Sequence, residues 1–271
     1  MRRSDDRPPG DPFAVEPYSP REQRFHAFGA ALNGAAWLAA VAWLVVAWRQ
    51  APPAAAGVVL AVVAGIYLAD LASGLLHWAF DTWFDDGMTF VRRMVLQVRE
   101  HHIHPGRIFK IHFTQDAGTL SWIALLVTAP WLLAALVAGA GTPLGSALAY
   151  GVATGVVFNP LLVFMLEFHK CGHRPRGPAW VRGLQRLRLV LPVRHHLTHH
   201  SGNHDVNYCI INGWADMTLG RLGFFRGLER LIHRMTGAEP QRDDYAWFER
   251  FGRPLPGRDD GAGDGPGGEA A

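Results

Sequence analysis

The sequence predicts an all-α, polytopic membrane protein with four transmembrane helices and a cytoplasmic helical cap. Three observations predict it. Four apolar runs, 27–48, 54–76, 118–138 and 145–166, carry few or no charges, and each matches the roughly 20 residues a helix needs to cross hydrocarbon. The basic residues are segregated: only Arg49 lies between the first two runs, and the "GAGT" turn between the third and fourth holds none. The remaining polar sequence falls after the second and fourth runs, so two hairpins of spanning helices each return to one side into a histidine-bearing segment. By the positive-inside rule that side is the cytoplasm, and both termini share it. The expected location is a bacterial cytoplasmic membrane.

Residues 1–20, "MRRSDDRPPGDPFAVEPYSP", are too polar and proline-rich to order themselves and read as a disordered tail. They do not resemble a signal peptide, so the first run is expected to serve as its own insertion signal. The second run continues into "LLHWAFDTW". If the helix persists, Asp70, Gly74, His77 and Asp81 share one face. Asp70 lies inside the apolar run, where an ionisable side chain is costly; it is either functional or a structural carboxylate bonded to another helix.

The segment "FVRRMVLQVREHHIHPGRIFKIHF", 90–113, places apolar residues at 91, 94, 95 and 98 against Arg92, Arg93 and Arg99, as an interfacial amphipathic helix would, with Pro105 to end it. "WVRGLQRLRLVL", 180–191, and "FFRGLERLIHRMTG", closed by Gly237, repeat the pattern. They either touch headgroups or pack as ordinary cap helices. Residues 252–271 form a second proline- and glycine-rich tail, which leaves 21–251 as one membrane domain without internal repeats. The net charge of +3 follows from this topology and suits anionic headgroups, so nucleic acid is not an expected partner. Cys171 and Cys209 belong to no Cys-x-x-Cys pair, and on the cytoplasmic side they are expected to be reduced thiols.

Of 14 histidines, all but His26 and His233 lie between 77 and 204, and none sits near the centre of a span. In "EFHKCGH" His169 and His173 are four apart. In "RHHLTHH" the pairs His195/His199 and His196/His200 are each four apart, two adjacent stripes that could address two metal centres from one helix. "EHHIH" adds Glu100, His101, His102 and His104. Eight or more imidazoles at one membrane face would leave many buried polar groups unsatisfied and would repel one another once protonated. Metal ligation, which uses the neutral ring nitrogen, removes both problems. A single zinc, closed by three or four ligands, would leave more than half the set idle. Calcium and magnesium want oxygen donors, whereas imidazole suits iron, copper and nickel. Two irons with open positions use a set of this size. The carboxylate-bridged Glu-x-x-His pattern is absent at Glu100 and Glu167.

The HxxHH box at 196–200, the earlier HH box and the histidine at the end of a span resemble the membrane desaturase and hydroxylase superfamily. More narrowly, "DLASGLLHWAFDTW", "REHHIHP", "EFHKCGH", "RHHLTHH", "NYCIINGW" and "GFFRGLERLIHRMTGAEPQRDD" resemble the plasmanylethanolamine desaturase family, also called Kua or lipid desaturase domain proteins, over about residues 60–245. "NYCI" is also similar to plastid relatives that desaturate an acyl chain of phosphatidylglycerol. The resemblance implies metal roles for His77, Asp81, His101, His102, His169, His173, His195, His196, His199, His200 and His204. Asp70, Glu100, His104 and His112 stand beside that set. The family usually carries Asp at position 104 and its later histidine one residue before 112, and the plastid branch tends to carry Gln at position 195.

The resemblance further implies two iron ions in a di-iron centre, O2 as co-substrate and a membrane phospholipid as substrate. The reaction implied is conversion of an alkyl ether to a vinyl ether by O2-dependent dehydrogenation. No residue beyond the metal ligands is assigned a catalytic role. Acyl-chain desaturation and lipid hydroxylation would use the same ligands, and a membrane metal carrier or sensor is a remote alternative. With no room for a fused cytochrome domain, electrons must come from an external donor, cytochrome b5-like or ferredoxin-like. Trp78, Trp83 and Trp214 are candidate lipid anchors or ordinary interfacial belt residues.

Overall fold

The computed structural model describes residues 18–85, 87–88 and 91–250, with backbone alone for residues 115 and 116. Among the described residues the fold is entirely helical. Its helices are α1 (Pro20–Gln50), α2 (Ala55–Thr82), α3 (Arg92–Ile103), α4 (Phe113–Ala138), α5 (Pro143–Val163), α6 (Met165–Gly172), α7 (Ala179–Arg186), α8 (Val193–His200), α9 (Phe224–Thr236) and α10 (Asp244–Arg250). One 3-10 turn spans Pro105–Lys110, and a short π turn spans Asp216–Gly220. The predicted tails lie outside the described residues except for 18–20, which open α1. There Ser19 caps the helix and the Glu22 side chain reaches back to the Ser19 amide, satisfying both ends of a capping box.

Helices α1, α2, α4 and α5 are long and apolar enough to cross a membrane. They form a bundle in which α5 packs on α1, α2 and α4, and α1 on α4. Leucines and valines such as Leu60, Leu126 and Val137 face outward, as they would toward lipid. Close approach is made by small residues: a Cβ on Gly65 would collide with the Thr154 carbonyl and Val157. Asn33 and Asn159 exchange amide hydrogen bonds of 3.0 and 2.8 Å across the bundle. Pro160 cannot donate to the carbonyl of Val156, and the Trp37 indole N–H does so instead at 2.9 Å.

Two span boundaries differ from the sequence reading. Helix α2 runs to Thr82 rather than stopping near 76, which keeps His77 and Asp81 in register with Asp70. Helix α5 stops at Val163 rather than 166, and α6 restarts at Met165, so the two histidines of "EFHKCGH" are presented from a separate short helix. In the 180–191 segment only Ala179–Arg186 is helical. The segments beyond the spans assemble at one end of the bundle, where α3, α6, α8 and α10 enclose the lower turns of α2.

Candidate metal centre

Ten of the sequence-predicted side chains converge there: two from the end of α2, two from α3, two from α6 and its C-cap, three from α8, and His204 from the loop that follows. His101 and His102 are neighbours on α3, about 100° apart around its axis, and point into different clusters. Helix α8 divides its histidines in the same way. His101, His169, His173, His196 and His200 form one group; His77, Asp81, His102 and His199 form a second; within each, one ligand-capable atom per residue lies within 4.8 Å of all the others. A third cluster joins His102, His204 and Asp244.

The first group has a geometry that hydrogen bonding cannot explain. The Nε2 of His196 lies 2.8 Å from that of His169, 2.8 Å from that of His173 and 3.0 Å from that of His200. A neutral imidazole carries one N–H, so one nitrogen cannot satisfy three neighbours. Nitrogens held at about 2.1 Å around one metal ion sit about 3 Å apart when at right angles. In the second group the orphaned atoms make the same point. Asp81 is buried and neither of its oxygens has a hydrogen-bond partner. Facing it at 3.6 Å are Nε2 of His77 and of His102 on one oxygen, and Nε2 of His199 on the other. These separations exceed a hydrogen bond and converge on a common centre. The donor set therefore fits a metal ion in each group.

Supporting contacts fix the rings of the second group. His77 Nδ1 lies 3.0 Å from the Tyr208 carbonyl, His199 Nδ1 is 2.8 Å from the Val206 carbonyl, and His102 Nδ1 is 2.9 Å from Asp244 Oδ2. A carbonyl or carboxylate only accepts, so Nδ1 must be the protonated nitrogen and each Nε2 presents its lone pair to the centre. Burial, reinforced by neighbouring imidazoles, holds His101, His102, His169, His196 and His199 well below the ordinary histidine range, and burial brings His173 down to about 4. These rings are neutral at physiological pH, the form that binds metal.

Several predicted residues stand outside the two main groups. His195 joins neither group: its Nε2 lies 3.0 Å from Asp216, whose same oxygen accepts the Cys209 amide at 2.9 Å. Asp70 is occupied by backbone amides. Its Oδ1 accepts the amides of Ile211, Asn212 and Gly213 and its Oδ2 that of Ala215, at 2.9–3.2 Å. It thereby holds the loop whose carbonyls orient His77 and His199. Gly213 turns that loop at φ 78°, and a Cβ there would meet the His195 ring. Glu100 pairs with Arg107, while His104 and His112 fall outside the three clusters. His204 stacks on His102 with centroids 4.0 Å apart and lies 3.5 Å from Asp244. Of the candidate lipid anchors, Trp78 is buried and donates to Glu229; at this end of the molecule the exposed tryptophan is Trp180.

Sequence reading missed Asp244 and Arg99. Arg99 is fully buried and donates at 2.9 Å to Asp244 Oδ1 and to the Gln241 carbonyl. With Arg99 on one oxygen and His102 on the other, Asp244 reads as the buttress of His102 and not as the ligand of a third ion. Its only trace in the sequence is the closing "DD" of the last family motif.

A narrow, mostly apolar cavity of about 20 Å³ touches both groups through His77, His101 and His169; Phe80, Met94, Val98, Ile108, Ile111, Met165, Leu166 and Ile210 line the rest together with the polar Gln97. A larger open cavity of about 420 Å³ lies beyond the 206–208 segment, bordered by Arg188, Arg221, Arg226 and His195, and none of the ten clustered residues lines it.

The lipid desaturase domain family matches residues 66–243, which contain every clustered residue but Asp244. Plasmanylethanolamine desaturase 1 of Mus musculus is 34% identical over 211 residues, covering 77% of this chain and 75% of the mouse protein. Plasmanylethanolamine desaturase of Myxococcus xanthus is 34% identical over 190 residues, 68% of this chain and 63% of its own length. Fatty acid desaturase 4-like 2, chloroplastic, of Arabidopsis thaliana is 28% identical over 192 residues, 70% of this chain and 63% of its own. No solved structure matches the chain. The extent of the family match, the four membrane-length helices and the two histidine groups together place the chain in the lipid desaturase domain family of membrane oxidoreductases.

Proposed function

We propose that the chain is a di-iron lipid desaturase that converts plasmanylethanolamine to its vinyl ether. The observation that carries this reading is the pair of adjoining, buried, nitrogen-rich groups bordering a mostly apolar cavity. His101, His169, His173, His196 and His200 would hold one iron; His77, Asp81, His102 and His199 would hold the other, with His204 stacked behind His102. When bound, the two irons supply the capacity to activate O2 and to accept hydrogen from an unactivated carbon pair. The balance is one lipid, one O2, two electrons and two protons in, one alkene and two waters out. The electrons come from an external cytochrome b5-like or ferredoxin-like donor.

The chain's own contribution is position and dryness. Phe80, Met94 and Met165 exclude water from the side of the groups where a methylene pair would lie. The Tyr208 and Val206 carbonyls and Asp244 keep three imidazoles in the tautomer that faces inward. The basic residues flanking the spans support placing this end, and both termini, in the cytoplasm.

The test is purified protein with its donor and a synthetic alkyl ether phospholipid. About two irons per chain and an acid-labile vinyl ether product support the proposal; full turnover in iron-free protein would remove it. The Arabidopsis relatives favour a second reading, desaturation of an acyl chain, which the same lipid analysis separates. A hydroxylated product would point instead to a lipid hydroxylase on the same ligands.

A further inference from the structure

The narrow cavity beside the ligands has a neighbour on its outer side. A second slot, lined by His112, Phe113, Ala117, Leu120, Glu167 and Lys170 among others, shares Ile111 and Leu166 with it as a common wall. This second slot opens where two spans leave hydrocarbon, since Ala117 begins one membrane-length stretch and Val163 ends another. At that boundary Phe113 and Phe164 stack with centroids 4.6 Å apart and both are exposed, although each is large and apolar. At the rim of a bilayer-spanning bundle such exposed apolar rings are placed where lipid would cover them. Just behind them Lys170 donates at 2.7 Å to the Ile111 carbonyl and at 2.6 Å to Glu167. An ammonium has three donors, so one remains for an incoming acceptor. Glu167 is 40% exposed while Lys170 is 11% exposed, which sets an outward carboxylate beside an inward cation.

We propose that the Phe113–Phe164 pair frames a lateral portal from the bilayer, through which one aliphatic tail passes along the Ile111–Leu166 wall to the histidine groups. The Lys170–Glu167 pair meets the phosphate and ammonium of a zwitterionic headgroup at its mouth. This rests on the desaturase reading and adds the tail's route and the residues that would meet the headgroup. Three features support it. Only the Ile111 and Leu166 side chains stand between the outer slot and the cavity beside the ligands; the lining between is mostly apolar, with Gln97 and His112 as the polar exceptions; and the ion pair at the mouth has the two charges of a phosphoethanolamine in complementary form. The slots hold only about 20 and 10 Å³. Entry therefore requires side chains to swing, and Met94, Met165 and Leu166 are the unbranched or flexible ones able to do so.

The test uses the full-length protein in vesicles of phosphatidylethanolamine carrying an alkyl ether lipid with a diazirine in its tail. Photolysis followed by peptide mapping should label Phe113, Ile111 and Leu166, in iron-loaded and iron-stripped protein alike. Labelling elsewhere, with none on these residues, overturns the portal even if desaturation is normal. Labelling of these residues with full turnover in iron-stripped protein leaves the portal standing and removes the metal reading, so the two failures are distinguishable. Leu166→Trp should lower both labelling and turnover by about tenfold while iron content stays at the wild-type value, with Leu166→Phe as a milder variant should the larger ring impair folding; wild-type labelling and turnover in a folded variant overturn the proposal. For the headgroup, Lys170→Gln should raise KM for ethanolamine lipids about tenfold with little change in kcat. Glu167→Gln should lose the preference for ethanolamine over glycerol headgroups. Unchanged KM and preference would overturn the ion pair's role.

Discussion

Asp244→Asn isolates the support of one ligand from the ligand itself. The carboxylate serves two donors, Arg99 Nη1 on Oδ1 and His102 Nδ1 on Oδ2, each at 2.9 Å. Asparagine has one acceptor oxygen and one donor nitrogen. If its oxygen faces Arg99, the amide donates to His102 Nδ1, moves the imidazole proton to Nε2 and blocks the lone pair that faces Asp81. If its oxygen faces His102, the amide opposes the Arg99 guanidinium, donor against donor. Loss of such a support costs about 10- to 100-fold in metal affinity, which is roughly 1.4–2.8 kcal/mol. Weakening the buried Arg99 contact adds on the order of 1.5–3 kcal/mol of folding stability lost. The two effects separate experimentally. Ferrous titration of stripped protein against a competing chelator reads the first, and the melting temperature of the metal-free protein reads the second. The group containing His102 should weaken while the five-histidine group keeps its affinity. In a His102→Ala background the Asp244→Asn change should have little further effect on metal binding. Wild-type affinity at both sites in Asp244→Asn, or losses that simply add to those of His102→Ala, would falsify the argument.

The other expectations concern the residues around this core. Asp70→Ala orphans four buried amides of the 211–215 loop, each worth about 1–3 kcal/mol, so the protein should fail to accumulate in folded form; a melting temperature equal to wild type would show the loop has another support. His195→Ala should retain both ions, whereas His196→Ala should empty the five-histidine group, as metal analysis of the two purified variants would read out. In stripped protein His173 and His204 are held down to about 4 against an ordinary value of 6.5. The unfolded chain takes up protons below 6.5 that the folded chain refuses until about 4, so the stability of metal-free protein falls as pH drops across that window. Melting curves in chelator that are flat between about pH 7 and pH 5 would contradict the burial on which this rests.

The sequence disclosed what depends on spacing along one chain segment. The four spans follow from run length, and the convergence of imidazoles follows from helical pairs at 169/173 and 196/200 together with the adjacent 101/102. It could not disclose what depends on contacts between distant segments. His195 and His196 are neighbours with the same chemistry, and His195 even shares a stripe with His199. Only the placement of Asp216, about twenty residues on, turns His195 away from the metal groups. Asp70 presented the same ambiguity in the opposite sense: a carboxylate within an apolar span is costly whether it binds substrate or caps a loop, and its partners lie about 140 residues later.

Asp244 shows why such residues escape a reading by motif. Its side chain is ordinary, its neighbours "RDDYAWFER" resemble any amphipathic turn, and its role exists only once α10 has folded back over α3. That return is itself encoded in apolar terms, because Trp247 and Phe248 are almost wholly buried in the same core as Phe80 and Met94. The aromatic pair anchors α10, the anchored helix presents Asp244, and Asp244 sets the tautomer of His102. Packing at the far end of the chain thus reaches the proposed metal centre through one carboxylate. A substitution such as Trp247→Ala should therefore weaken the group containing His102 without touching any ligand, and the five-histidine group, which has no contact with Asp244, should be the less affected of the two.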